Sequence, residues 1–308
     1  MRYSLYSRFR GTFLGTVVGE MLGKSTSVGA DTEWGRLAVM GAESLLRLGK
    51  FDLDDWRQVL LSADSVLKPF HPSSNLNAMN CISTKAIITT LPLALFYHEN
   101  EIKLRQNLQQ LLVAWQDDPV SRDGALAVGY ATLQSLTEKI NAATLIPQTI
   151  AFLGESQTQL PQQLAQVQRL LEQGAGLERT VTYLSRNTQP TTPIALAFYF
   201  FLSTLEDLRL SVMRAAQTGC QPQITSAITG ALSGAYNSTA GIPVSLRMAL
   251  SQPNAKPLAA WGMKTEAEML ELSDSLVAVW SGVYDQATHP TKMTPVAAIA
   301  APLVIRPR

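Results

Sequence analysis

The stretch RFRGTFLGTVVGEMLG, Arg8–Gly23, places glycine at 11, 15, 19 and 23. Residues four apart share one face of a helix, so this spacing lays down a stripe without side chains. Each glycine inside a helix costs about 1 kcal/mol relative to alanine. Four in one helix call for a compensating contact, and the close approach of a second helix backbone supplies it. A matching small face follows in ITSAITGALSGAYN, where Ala227, Gly230, Ala231 and Gly234 recur at helical spacing. The two helices are therefore expected to pass near the centre of the fold, with their ends close together.

Outward from this pair the period stays helical. LAVMGAESLLRLG repeats apolar residues at three and four and ends on Gly49 as a C-cap. FDLDDWRQVLLSADSVL follows, with Asp52 or Asp54 as N-cap and Trp56, Val59 and Leu60 on one face. NCISTKAIITTLPLALFYHEN is apolar and interrupted by Pro92. Further helices are predicted in NEIKLRQNLQQLLVAWQ, SRDGALAVGYATLQSLTEKI, TLIPQTIAFLGE, LPQQLAQVQRLLEQG, TTPIALAFYFFLST, LEDLRLSVMRAAQTG and TEAEMLELSDSLVAVWSGVYDQ. No alternation of apolar and polar residues between hairpin turns marks a sheet. The expectation is one all-α domain over residues 1–285. Residues 286–308 carry Pro290, Pro295, Pro302 and Pro307 with an apolar patch, and are set apart as a Pro-rich tail.

Composition narrows the function classes. Hydrophobic residues make up 46% of the chain and charged ones only 16%, which points to a large core and some surface buried against a partner. A net charge of +1 and no Lys/Arg run argue against nucleic acid or an acidic membrane surface as partner. No stretch of 18 uninterrupted apolar residues marks a membrane span. The apolar run near the start is broken by glycines and ends in Glu20, without a cleavage site, so a cytoplasmic chain is expected. Cys81 and Cys220 read as free thiols rather than a disulfide. His71 lies beside Ser73 and Ser74, but no nucleophile elbow accompanies it, and no Walker motif or Cys-x-x-Cys is present.

Taken in order, these segments resemble the ADP-ribosylglycohydrolase family, an all-α fold shared by dinitrogenase-reductase-activating glycohydrolases and ADP-ribosyl-acceptor hydrolases. RFRGTFLGTVVGEMLG is similar to the family's opening helix, AESLLRLG to the end of its second, and TLPLAL to its Met-Arg-x-x-Pro-Leu helix. TTPIALAFYFFLSTLEDLRLSVMRAAQTGC and ITGALSGAYNSTAGIP resemble its C-terminal third, so the likeness spans residues 8 to about 284. The resemblance implies hydrolysis of the bond between ADP-ribose and an acceptor, with two Mg²⁺ or Mn²⁺ ions held by an early Thr-Asp-Asp-Thr and a late Asp-Thr-Asp-Thr. Such hard ions are held by oxygen ligands, and two side by side need several carboxylates to offset their repulsion.

Where the resemblance puts those motifs, this chain departs from them. The late motif falls on Gly219-Cys220-Gln221-Pro222-Gln223-Ile224, so Gln221 and Gln223 stand where aspartates are expected and Ile224 where a threonine is. The early one falls on Thr32-Glu33-Trp34-Gly35, keeping one longer carboxylate and putting Trp34 in place of the second. Glu20 stands where Asp is usual, Ile88 and Thr89 at the Met-Arg position, and Trp115-Gln116 ahead of Asp117-Asp118-Pro119 where Thr-His is frequent. Glu20 and Glu33 are the remnant catalytic candidates. Thr32, Glu33, Trp34, Trp115, Gln116, Asp117, Asp118, Gln221 and Gln223 would line a remnant cleft, with Trp34 and Trp115 as its plug or as an aromatic wall for a nucleobase. The expectation is a pseudoenzyme without metal or other cofactor, acting on a protein partner through residues 286–308 or otherwise. The alternatives are a metal-free binder of ADP-ribose or a related nucleotide, and a residual or altered hydrolase.

Overall fold

The computed structural model describes residues 2–23, 34–62, 84, 86–115, 118–186, 188–252 and 256–283, without the side chains at 60–62, 114 and 115. Among these residues the chain is helical and holds no strand. Helix α1 spans Leu5–Gly23, and every residue from Gly11 to Glu20 is buried. It is the all-round burial of a central helix, not the single stripe of a surface one.

Its partner is α12, Pro222–Asn237, buried continuously from Ile224 to Ala235. The two run antiparallel, with Gly11 against Gly234, Gly15 against Gly230, Gly19 against Ser226 and Gly23 against Pro222. A Cβ on Gly15 would run into the Gly230 carbonyl, and one on Gly230 into the Gly15 carbonyl. The stripe therefore exists for backbone-on-backbone contact. Buried hydroxyls of α12 bond to helix carbonyls: Thr229 Oγ1 to Thr225 O within the helix at 2.7 Å, and Ser226 Oγ across to Gly19 O at 2.6 Å.

Around this pair pack α6 (Pro119–Leu136), α10 (Thr192–Ser203), α11 (Leu208–Ala216) and α15 (Glu266–Ser281). Helix α10 is buried at each residue from Thr192 to Leu202. Arg10 ties α1 to α15 by donating both Nε and Nη2 to the Asp274 carboxylate. Outside them lie α2 (Trp34–Leu48), α3 (Leu53–Ser62), α4 (Leu91–Phe96), α5 (Glu101–Trp115), α7 (Leu145–Leu153) and α8 (Leu160–Glu172).

Several predicted boundaries recur. Gly49 follows α2 with φ +65 and its N–H donates to Leu45 O at 2.8 Å. Asp52 is the cap of α3, accepting from the N–H groups of Asp54 and Asp55 at 3.1 Å each. Pro92 does not kink a long helix; it sits in the first turn of α4, after a turn at Thr90. The last helix stops at Ser281, where Gly282 takes the left-handed cap. Three short helices, α9 (Leu177–Ser185), α13 (Val244–Leu250) and α14 (Lys256–Ala260), were not predicted. No helix among the described residues is long and apolar enough to cross a membrane.

Candidate functional site

The antiparallel register decides which residues meet. It lays the C-terminus of α1 beside the N-terminus of α12, where a Cβ on Gly23 would stand 2.6 Å from Gln223 Cα. The first N–H groups of α12 and the positive end of its dipole open at this place.

Gln221 is the N-cap of α12 and sits in the left-handed region, φ 41 and ψ 61. Such a conformation is uncommon for a residue with a Cβ, and Pro222 follows it at the helix start. Its side chain does not cap the helix. Gln221 Oε1 accepts a hydrogen bond from Thr84 Oγ1 at 3.1 Å, while its carbonyl accepts from Thr225 N at 3.0 Å. Cys220, just before it, is a buried free thiol that burial pushes up to about 11. Gln223 is half-buried.

Glu20, one turn before the end of α1, is buried, and its Oε2 accepts the indole N–H of Trp261 at 2.6 Å. Trp261 is placed by the end of α14: its N–H donates to Leu258 O, and Gly262 turns the chain at φ +75. The indole meets Phe13 edge-on with centroids 6.4 Å apart, and it lies so close over Gly35 that a Cβ there would enter the ring. Trp34, the first residue of α2, precedes Gly35 in the chain and is buried as well.

Asp118 is a helix cap. Its Oδ2 accepts from Ser121 N and Ser121 Oγ at 2.7 Å each, at the start of α6. Further along α6, Gly124 faces Ile87, which lies three residues after Thr84. The structure thus brings Glu20, Gln221, Gln223 and Thr84 to one end of the central pair. Thr32, Glu33, Gln116, Asp117 and the Trp115 side chain lie outside the described residues, as do His71, His289 and Cys81. Trp261 and Thr84 were missed in the sequence. Only the Trp-Gly pair after a short apolar run hinted at a capped, inward-turned tryptophan.

The remaining histidine is elsewhere. His98 follows α4, donates from Nδ1 to Leu95 O at 2.6 Å, and packs between Phe9 and Trp280. Among the described residues no three His, Cys, Asp or Glu side chains come together as a metal site.

No curated protein matches the chain in sequence. Among solved structures it resembles one described as an ADP-ribosylglycohydrolase-related protein complex, with a TM-score of 0.58 and 16% identity over 90% of this chain and 99% of that one. At that identity the likeness speaks for the fold. The family model for ADP-ribosylglycohydrolase matches residues 1–286. The chain belongs to the ADP-ribosylglycohydrolase family.

Proposed function

We propose that this protein keeps the family scaffold without the dimetal hydrolysis, and works by binding a protein partner. The observation that carries the reading is the set of donors at the α1–α12 end. Gln221 and Gln223 bring oxygen without charge, and the Gln221 carboxamide is bonded to Thr84. Glu20 is a carboxylate at that end, and its Oε2 faces an indole N–H at 2.6 Å. Two hard dications need several carboxylates between them, and among the described residues no three His, Cys, Asp or Glu side chains come together to supply them. The composition supports a binding role, since the chain is 46% hydrophobic and its last residues, 286–308, are apolar and Pro-rich.

The test is hydrolysis of ADP-ribosylated arginine and serine peptides with Mg²⁺ or Mn²⁺. No turnover is expected. Turnover abolished by Glu33→Gln would overturn the reading and establish a residual hydrolase. The partner is sought by pull-down with the full chain and with residues 1–285, and its loss on truncation is the expected result.

One observation favours a second reading, a metal-free binder of ADP-ribose. Gln221 and Gln223, both hydrogen-bonding side chains, stand at the start of α12, where free backbone N–H groups suit a phosphate. Thermal shift with ADP-ribose, with and without Mg²⁺, separates the readings: a shift independent of metal supports the binder, and none at millimolar ligand removes it.

A further inference from the structure

At the opposite end of α1 lies a cavity of about 530 Å³, within the range of small-molecule sites. Arg8 and Gly23 are separated along the helix by about 22 Å at 1.5 Å per residue, so the cavity is distinct from the α1–α12 end. Aromatic and apolar side chains build much of its wall: Tyr3 and Tyr6 around the start of α1, His98 after α4, and Val277 and Trp280 in the last turns of α15. The His98 and Trp280 rings have centroids 4.7 Å apart.

The charges in this wall are matched to each other. Arg8 donates from Nη1 to Ser135 O at 2.6 Å and from Nη2 to the Glu138 carboxylate. Glu138 also accepts from the Arg2 N–H at 2.9 Å, and that bond, then Arg8, holds its carboxyl below the usual range. The Arg2 side chain is paired with Glu206 at 3.1 Å and lies 5.6 Å over the Tyr3 ring. A cation therefore finds Glu138 neutralised and the Tyr3 ring covered. An anion meets Glu138 and the exposed Glu99. One donor has no match. Arg8 Nε is buried and meets no acceptor among the described residues, in a side chain that is 4% exposed and belongs to the cavity wall. A buried N–H of a charged group is costly to leave without a partner, and nearly all such groups have one.

We infer that this cavity binds a neutral ligand with a planar apolar body and a carbonyl oxygen, the oxygen accepting from Arg8 Nε while the aromatic wall encloses the body. The chemical class is an aromatic ketone, ester or amide. A ligand without the oxygen leaves Nε unmatched, and a net charge of either sign meets groups already paired with each other. A hydrogen bond from a charged donor is stronger than one between neutral groups, and more so away from water. A flat body also has few internal rotations to lose on binding between rings.

The experiment is titration of the full chain, isotope-labelled at arginine nitrogen, with acetophenone, read from the Arg8 Nε–H resonance in nuclear magnetic resonance spectra. Ethylbenzene is the probe of similar shape without the oxygen, and benzoate and benzyltrimethylammonium are the charged probes. Acetophenone is expected to move the resonance and to bind about 10-fold more tightly than the others, the size of one hydrogen bond from a charged donor. Arg8→Lys keeps a positive charge beside Glu138 and removes the Nε–H, so acetophenone and ethylbenzene should then bind alike. Tyr3→Ala should weaken both neutral probes by about threefold through lost ring contact. Tyr3 is not in the core, so this variant and the resonance keep the test valid if Arg8→Lys fails to fold. Equal affinity for acetophenone and ethylbenzene in the unaltered chain, or a charged probe bound as tightly as the ketone, overturns the inference. So does a resonance unmoved at saturation, as a fixed water on Nε would leave it, or binding unchanged in Tyr3→Ala.

Discussion

Trp261 and Glu20 show how one contact redefines a candidate residue. By position in the chain Glu20 is a carboxylate at the end of the glycine-striped helix, and nothing near it in sequence tells what it faces. Its indole partner is 241 residues away. Trp261→Phe keeps an aromatic ring and deletes the N–H, and a hydrogen bond to a buried charge is worth about 2 kcal/mol. Urea unfolding is expected to show a loss of that order. The double variant with Glu20→Leu should lose less than the sum of the single changes. Additive losses would mean that the pair is not coupled. Cys220 makes a second residue-scale prediction. Burial raises its thiol from the ordinary 9.0 to about 11. Because the folded value is the higher one, its contribution to stability is whole below about pH 9 and is lost as pH rises through about 11. In a Cys81→Ser background the native protein should react with Ellman's reagent far more slowly than the same chain in denaturant. Equal rates would place the thiol at the surface.

At the scale of the element, the glycine stripe was legible because its cause is local. Spacing of four selects one helix face, and the energetic cost of glycine demands a contact on it. What spacing leaves open is the partner and the register, which the antiparallel match of Gly15 to Gly230 supplies. The obstacle at each is a backbone carbonyl, which cannot rotate away as a side-chain end can. Gly230→Ala is therefore expected to destabilise by about 2 kcal/mol or more, as overpacking does. Gly176→Ala, at the cap before α9 with open space around it, should cost less than half of that. Denaturant midpoints check both, and similar losses would remove the packing argument. The helices that sequence reading missed are short, and not all of them carry the signal it relies on. Only Leu250 is buried in α13, where Val244 and Met248 stand exposed, whereas α9 does carry a short apolar period, Leu177, Val181 and Leu184, that was overlooked. In α13 no buried stripe leaves an apolar period to detect.

For the whole molecule, the central pair sets up two ends with different chemistry. One carries glutamines, a buried glutamate and an indole; the other carries a cavity between aromatic rings and carboxylates. Removing residues 286–308 should leave the unfolding midpoint of the helical domain essentially unchanged, and a large drop would make the tail part of the core. The all-α class, the family resemblance and the neutral character of Gly219–Ile224 could be read directly, because each depends on residue identity and short-range spacing. The chain alone thus determined that its central helices must approach closely, and that the late loop carries no carboxylate. Only the tertiary structure decided that Glu20 accepts from Trp261, that Gln221 is held by Thr84, and that Arg8 is buried beneath a cavity edged by Glu99 and Glu138. The physical reason is that these contacts join segments far apart in the chain, so they are set by how whole helices dock and leave no periodic trace in the residues themselves.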